Sequence, residues 1–407
     1  MDLTIGVARA PVVLLVSVLP WGFAGRLAGT LRRAGFSVHG AAPRGTLLHR
    51  SGAVSQMHRL QHRNLVGDLA ATLRDVRPAA LIPCDDHAAA LLMQLHGECD
   101  LASMIESALG DPASYPVAGS KSRQMALSAE LGLPMPATQP IADFDALVSA
   151  LNDGDFPRVL KADGTAGGTG VAVIRDLAGA KSAWDRLFRP PSLIQVLARV
   201  GREGNIRSIM ARRQWQERSC DLQSFVAGIP ANRAVLCNRG YVLAGVSVEV
   251  LQTLYPNGPG SVVRVIDHPD MTASAAAMVK RLGLSGFLGF DFVLDESSGH
   301  ALMIEMNPRA TPICSLPIGD AAGTDFAGAL FSLVTGLPAS PVPPVPSDTI
   351  AVFPGEWYRD PSSHFLRDFW HDVPWDDPEL LYAYLDEIRA EHRFARLKSA
   401  LGRGKKA

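Results

Sequence analysis

A run of glycines between two segments that read as β-strands restricts this chain more than any other feature. Residues 158–161 are strand-like, the run occupies 164–170, and Val171 to Ile174 reads as a second strand. Four glycines in seven residues lose much backbone entropy on ordering, which packing alone hardly explains. Their backbone N–H groups can converge on phosphate oxygens, and Lys161 adds a compact positive charge. The pattern predicts a hairpin whose tip approaches a phosphate; a mobile hairpin turn is the alternative.

Two carboxylates form a second candidate binding site, on a predicted antiparallel hairpin much further along the chain. If its loop is 296–300, Asp291 lies opposite Glu305 with Cβ atoms about 5 Å apart, and Asn307 follows on the same face. Like charges that close need a cation, and two carboxylates with an amide suit Mg²⁺. A one-residue slip in register would separate them. The alternative is the polar face of an edge hairpin.

Several short motifs join these two features. They are Gly119-Ser120-Lys121, Gly132-Leu133-Pro134-Met135-Pro136, Lys161 before the glycine run, and Ile304-Glu305-Met306-Asn307-Pro308-Arg309. On these residues, the chain resembles the ATP-grasp superfamily over about 115–320. The resemblance implies an α/β and α+β protein: an ATP-grasp fold, whose two α+β subdomains grip ATP, preceded by a Rossmann-like parallel α/β domain.

The resemblance also implies which residues bind Mg-ATP, or Mn-ATP. Lys121 and Lys161 match the lysines on the phosphates, and Asp291, Glu305 and Asn307 match the metal ligands. The loop that closes over the phosphates is matched by Gly164, Gly167, Gly168, Thr169 and Gly170. The strand whose backbone bonds adenine is matched by Gln223, Ser224, Phe225 and Val226. Where many members carry an acidic residue for ribose, this chain has 229–231, Ile-Pro-Ala, which leaves the ribose contact undefined.

The implied reaction is ATP-dependent ligation, in which a carboxylate becomes an acyl phosphate and an amine then displaces phosphate. Attack of a carboxylate on a phosphate brings two anions together, so we predict catalytic roles for Lys161, Arg309 and Arg264. Arg264 has a second interpretation, as a surface ion-pair partner. Two other functions stay open: a carboxylase or carbamoyl-phosphate-type enzyme, and a regulatory module that binds ATP without turnover.

The pattern of strands, helices and prolines, taken together with the resemblance, predicts four segments. They are a Rossmann-like domain at 1–114, an ATP-grasp domain at 115–336 with a subdomain boundary near 220, a proline-rich linker at 337–348 and a small C-terminal unit at 349–407. At the end of a predicted strand, Asp85 and Asp86 are either helix N-caps or face a ligand cleft. A basic helical stretch at 180–218 is either a cap over the site or a solvated insertion.

Charge and cysteine usage limit the partners. With 39 Lys+Arg against 40 Asp+Glu, the chain has no overall field for nucleic acid or a membrane surface. The basic stretch at 389–407 reads as a helix end rather than a nucleic-acid site. Five cysteines without a CxxC pair fit free thiols, and apolar runs are broken by proline, so we expect a cytoplasmic protein without membrane spans. Expected partners are ATP and small carboxylates and amines; a homodimer is an open alternative.

Overall fold

A computed structural model of the protein describes residues 10–152, 154–164, 170–189, 218–256, 258–320 and 322–386. These residues form three β-sheets with helices packed around them. The glycine tip at 165–169, residues 190–217 of the predicted insertion and the basic stretch at 389–407 lie outside the described residues. The predictions for Gly167, Gly168 and Thr169 therefore stay predictions.

The N-terminal unit is a four-stranded parallel sheet in the order β3-β2-β1-β4. Its elements are β1 (Val12–Val16), α1 (Phe23–Arg33), β2 (Ser37–Ala42), β3 (Gln56–Arg59), α2 (Leu65–Val76), β4 (Ala80–Pro83), α3 (Asp86–Leu95) and α4 (Ala102–Leu109). Val13 and Leu15 pack on one face of β1, and Leu14 and Val16 on the other. Because both of its faces are covered, the central strand β1 is continuously apolar, as buried strands of parallel sheets generally are. The predicted parallel α/β unit is confirmed.

A second sheet carries the glycine hairpin. Its strands, in the order β5-β8-β6-β7, are antiparallel. This stretch of the chain contains α5 (Tyr115–Ala118), α6 (Lys121–Glu130), β5 (Thr138–Pro140), α7 (Phe144–Asn152), β6 (Arg158–Ala162), β7 (Val171–Ile174), α8 (Ala180–Phe188) and β8 (Cys220–Ser224). Of these, α6 packs on the third sheet, described below, with Met125 and Leu127 in its core. β6 pairs with β7 from Arg158↔Ile174 to Lys161↔Val171, which confirms the predicted hairpin. α7 and α8 cover one face of this sheet with Leu147 and Leu187.

The third sheet has seven strands in the order β13-β12-β9-β10-β11-β14-β15. Its elements are β9 (Gly228–Asn238), β10 (Tyr241–Thr253), β11 (Gly260–Ile266), α9 (Pro269–Leu282), β12 (Gly286–Asp295), β13 (Ala301–Asn307), α10 (Phe326–Thr335), β14 (Thr349–Val352), α11 (Gly355–Arg359), α12 (Phe365–Asp368) and β15 (Trp370–Asp372). Short 3-10 turns occur at Leu47–Arg50, Pro112–Ser114, Leu177–Gly179 and Pro312–Ser315. β14 pairs with β11, so the first part of the predicted C-terminal unit continues the large sheet. The segment boundaries themselves stay predictions.

The two faces of the large sheet have different neighbours. Phe290 and Phe292 lie on one face and pack against Met271 and Met278 of α9. The other face carries Val248, in one core with the side chains of the N-terminal unit. Because side chains alternate along a strand, Asp291 lies on the opposite face from Phe290 and Phe292.

The carboxyl end of β4 meets the end of β13. Ala310 N donates a hydrogen bond to Pro83 O at 3.0 Å. Elsewhere in the N-terminal unit, Arg26 of α1 forms a buried ion pair with Asp372 of β15. The N-terminal unit is thereby fixed against the large sheet at two separate places. Within the described residues, no helix has the length and apolar character needed to cross a membrane.

Candidate active site

The predicted carboxylate pair is present, and a β-bulge produces it. Asp291 is paired with Glu305, as predicted, but Phe292 is paired with Met303, so Ile304 is an extra residue on β13. Near the turn, Leu294 is paired with Ala301, which is one residue away from the register that a 296–300 loop would give. The bulge shifts the pairing back by one residue, so that Asp291 lies opposite Glu305. Without the bulge, Asp291 would oppose Ile304 and Glu305 would point to the other face.

Asp291 is held by two amides. Asn232 Nδ2 donates to Asp291 Oδ1 at 2.5 Å, and Asn307 Nδ2 donates to Asp291 Oδ2 at 3.2 Å. Burial raises the pKa of Asp291 above its ordinary value, and burial together with the Asp291 charge raises the pKa of Glu305. Sequence reasoning missed Asn232, because only the pairing of β9 with β12 brings it beside Asp291. Two adjacent, partly buried acids with raised pKa values and an amide oxygen form a site that favours a cation.

Two lysines, one on α6 and one on β6 of the second sheet, reach the same strand. Lys121 Nζ lies 3.0 Å from Glu305 Oε1, and Lys161 Nζ donates to Ile304 O at 3.2 Å. Ile304 is the extra residue of the bulge, and β13 is an edge strand, so this carbonyl can accept from outside the sheet. Burial lowers the pKa of Lys161 to about 8. Asp221, also missed by sequence reasoning, is buried and paired with Lys161 across β6 and β8.

Asp163 ties the glycine hairpin to the start of α6. It accepts hydrogen bonds from Ser120 Oγ at 2.7 Å and from Lys121 N at 2.9 Å. Gly164 follows with φ of +69°, a conformation that favours glycine. At the other end of the glycine run, Gly170 O accepts from Ala162 N at 2.9 Å. The base of the predicted loop is therefore closed and lies one residue from Lys161.

Arg309 joins the N-terminal unit to the carboxylate pair. Its Nε donates to Asp86 Oδ1 at 2.8 Å, its Nη2 donates to Asn307 Oδ1 at 3.3 Å, and its guanidinium lies 4.8 Å from the ring centroid of Trp21. Of the two aspartates, Asp85 is fully buried as the N-cap of α3, whereas Asp86 lies at the site. The helix N-cap interpretation therefore fits Asp85, and the ligand-cleft interpretation fits Asp86.

The structure does not bring Arg264 to the carboxylates. Its Nε donates to Glu249 Oε1, its cross-strand neighbour on β10. Glu249 is next in sequence to Val248, which is paired with Asn232, so it lies on the sheet face opposite to Asp291. This arrangement fits the alternative of an ion-pair partner, and we leave Arg264 out of the site proposed below.

The predicted adenine strand is β8 and the residues after it. Gln223 is buried, and its Nε2 has no hydrogen-bond partner among the described residues. Ser224 Oγ accepts from Arg158 Nη1 at 3.1 Å, and Phe225 is exposed. Leaving a buried amide N–H without a hydrogen-bond partner costs free energy. Of the residues on this predicted strand, Gln223 is therefore the best candidate to donate to a ligand.

Comparison with known proteins identifies the architecture. No protein-family model matches the chain, and no curated protein matches it in sequence. Among solved structures, the biotin carboxylase domain of Hydrogenobacter thermophilus 2-oxoglutarate carboxylase, bound to MgADP, ADP and bicarbonate, matches with a TM-score of 0.55 at 15% identity, over 80% of this chain and 70% of that one. The chain has the ATP-grasp fold.

Two further structures with the ATP-grasp fold support this assignment. The N5-carboxyaminoimidazole ribonucleotide synthetase of Thermus thermophilus matches with a TM-score of 0.54 at 19% identity, over 81% of this chain and 79% of that one. The Aspergillus clavatus carboxyaminoimidazole ribonucleotide synthase, complexed with ATP, matches with a TM-score of 0.55 at 14% identity, over 82% and 78%. The predicted ATP-grasp fold with an N-terminal α/β domain is thus confirmed.

Proposed function

We propose that this protein is an ATP- and magnesium-dependent ligase that activates a carboxylate as an acyl phosphate and couples it to an amine. One observation carries the proposal: Asp291, Glu305 and Asn307 meet Lys121 and Lys161 at a single place, although these residues lie on β12, β13, α6 and β6. Acids and lysines converge in this way where a metal and a polyphosphate are bound together.

The donor set fits Mg²⁺. Carboxylate and amide oxygens are the hard ligands that Mg²⁺ prefers, and it takes its remaining ligands from water and substrate phosphates. In the described part of the chain, no group of three or more His, Cys, Asp or Glu could enclose a metal alone. Asp291 and Glu305, with Asn307, would therefore hold the ion from one side only, which suits a metal shared with ATP. The unpartnered amide of Gln223 fits the base of the same nucleotide.

The residues of the chain then have separate tasks. Bound Mg²⁺ neutralises phosphate charge. Lys121 and Lys161 offset the remaining charge, so that a substrate carboxylate oxygen can attack the γ-phosphorus as ADP leaves. With a pKa of about 8, Lys161 is still mostly protonated at pH 7. Arg309, fixed by Asp86 and Trp21, lies at the junction with the N-terminal unit, where we place the carboxylate.

The second half of the reaction forms the C–N bond. The amine nitrogen attacks the carbonyl carbon of the acyl phosphate, inorganic phosphate leaves with the bonding electrons, and the nitrogen releases a proton. Exclusion of water protects the acyl phosphate in this step. The glycine run at 164–170 is our candidate for that cover.

A second candidate substrate is bicarbonate, in a carboxylase reaction. It is favoured by the fold comparison, because one similar structure contains bicarbonate and others are carboxyaminoimidazole synthetases. ATP binding without turnover is disfavoured, since binding alone does not need the complete set of acids and lysines.

Release of ADP tests the proposal. The protein is incubated with Mg-ATP and a panel of carboxylate and amine pairs, with bicarbonate as a separate arm, and the product of any active pair is identified by its mass. We expect ADP and a condensed product from at least one pair. If ADP never exceeds the protein-free rate, the protein is not a ligase of this kind; a carboxylated product would select the second candidate.

A further inference from the structure

Gln124 is a buried side chain that sequence reasoning did not single out. It lies on α6, is 2% exposed, and its amide makes three hydrogen bonds. Nε2 donates to Ala118 O at 3.0 Å and to Met306 O at 2.9 Å, while Oε1 accepts from Met306 N at 2.9 Å. Both N–H groups and the oxygen of the amide are therefore used.

The partner of Gln124 is an edge strand. β13 is the terminal strand of the large sheet, and β12 is its neighbour. The outer N–H and C=O groups of an edge strand need partners from elsewhere. At Met306, Gln124 Nε2 donates to the C=O group and Gln124 Oε1 accepts from the N–H group. The Gln124 amide therefore takes the place of an adjacent strand at that residue.

The two peptide units that Gln124 holds are those on either side of Met306. The Met306 N–H belongs to the peptide bond with Glu305, and the Met306 C=O belongs to the peptide bond with Asn307. Both neighbours are proposed metal ligands, and their side chains point to the opposite face from Met306. Gln124 thus fixes the backbone from which two of the three ligands project.

Lys121 and Gln124 act on neighbouring points of β13 from one helix. They are three residues apart on α6 and so lie on the same helix face. Lys121 contacts the Glu305 carboxylate, and Gln124 holds the Met306 backbone. Further along the same edge, Met303 N donates to Pro134 O at 2.8 Å. The bulge at Ile304 lies between these two anchors.

We propose that Gln124 is a positioning residue for the metal and nucleotide site, acting through the backbone of Glu305 and Asn307. The inference rests on the proposed function, since it presumes that these residues hold a metal with ATP. Residues that orient metal ligands commonly change metal affinity about 10- to 100-fold when they are replaced. A residue that only stabilises the fold would lower the melting temperature without this loss of affinity.

The test compares Gln124→Met with Ser128→Ala in the full-length protein. Met has the length of Gln without its hydrogen bonds. Ser128 is an internal control: it is buried one turn further along α6, and its Oγ donates to Gln124 O at 2.7 Å and contacts Met278 Sδ of α9 rather than β13. Binding of Mn²⁺ in the presence of a non-hydrolysable ATP analogue is followed by electron paramagnetic resonance, together with melting temperature.

We expect Gln124→Met to weaken Mn²⁺ binding about 10-fold or more, and Ser128→Ala to leave it within about 2-fold even where the melting temperature falls. If Gln124→Met does not fold, Gln124→Asn, which keeps an amide one methylene too short to reach both peptide units, carries the same expectation. Wild-type affinity in the folded Gln124 variant would overturn this inference alone. Absence of Mn²⁺ and nucleotide binding in the wild-type protein would overturn the proposed function and this inference together.

Discussion

Replacing Glu305 by Gln should separate the function of this residue from its contribution to stability. The substitution keeps the size of the side chain and one oxygen, and it removes one negative charge from the pair with Asp291. Because burial and the Asp291 carboxylate raise the pKa of Glu305 even with Lys121 beside it, its charge is unfavourable in the folded protein when no metal is bound. The variant is therefore expected to fold about as well as the wild type.

The expected magnitudes differ strongly between the two properties. The ion pair with Lys121 is partly exposed, with side-chain exposures of 16% and 23%, and such pairs contribute about 0–1 kcal/mol. Relief of the repulsion with Asp291 offsets this loss, so we expect a change in unfolding free energy within about 1 kcal/mol. A metal ligand contributes several kcal/mol to the transition state, which corresponds to a loss of turnover of roughly 10²- to 10⁴-fold.

Both properties are measured on the same preparations, by urea unfolding without Mg²⁺ and by ADP release with saturating Mg²⁺. Glu296→Gln is the matched control, because Glu296 is an exposed acid in the turn of the same hairpin and should change neither property. Unchanged turnover in Glu305→Gln would remove this residue from the site. A fall in turnover that merely follows a loss of several kcal/mol in stability would show that Glu305 is structural, and the reasoning from its charge would be wrong.

Three further predictions test the fold and the site. Arg26→Ala should lower the unfolding free energy by about 3–5 kcal/mol in urea titrations, because it leaves the buried Asp372 carboxylate without its partner; a loss below about 1 kcal/mol would contradict a buried pair. Iodoacetamide at pH 8 should label Cys99 alone in the native protein and all five cysteines in urea, since Cys99 is exposed and burial raises the pKa of Cys220 to about 12; rapid labelling of a second native thiol would contradict this. Arg309→Lys should lower ADP release about 10²-fold while nucleotide binding is retained, because Lys lacks the planar fork that bonds several partners at once; equal turnover would place Arg309 outside the reaction.

The elements that the sequence predicts well are those specified by local patterns. The apolar run beginning at Val12 and the glycine hairpin after Arg158 each contain their own signal, namely a buried strand and a glycine run between two strand-like segments. Asn232 and Gln124 carry no such signal. Their importance comes from pairing of β9 with β12 and from packing of α6 on β13, which are contacts between distant parts of the chain. Arg264 shows the converse: its chemistry suits a catalytic role, but strand alternation places it on the other face.

The pairing of Asp291 with Glu305 shows how a local irregularity can preserve a functional contact. A regular ladder from the observed turn would place Ile304 opposite Asp291, and the two acids would lie on different faces of the sheet. The extra residue restores their alignment, and its carbonyl accepts from Lys161. The bulge therefore accounts for the acid pair, and the residue that accepts from Lys161 of β6 lies at the same point of β13. Since bulges commonly redirect side chains near active sites, we interpret this one as part of the site rather than as a defect in the sheet.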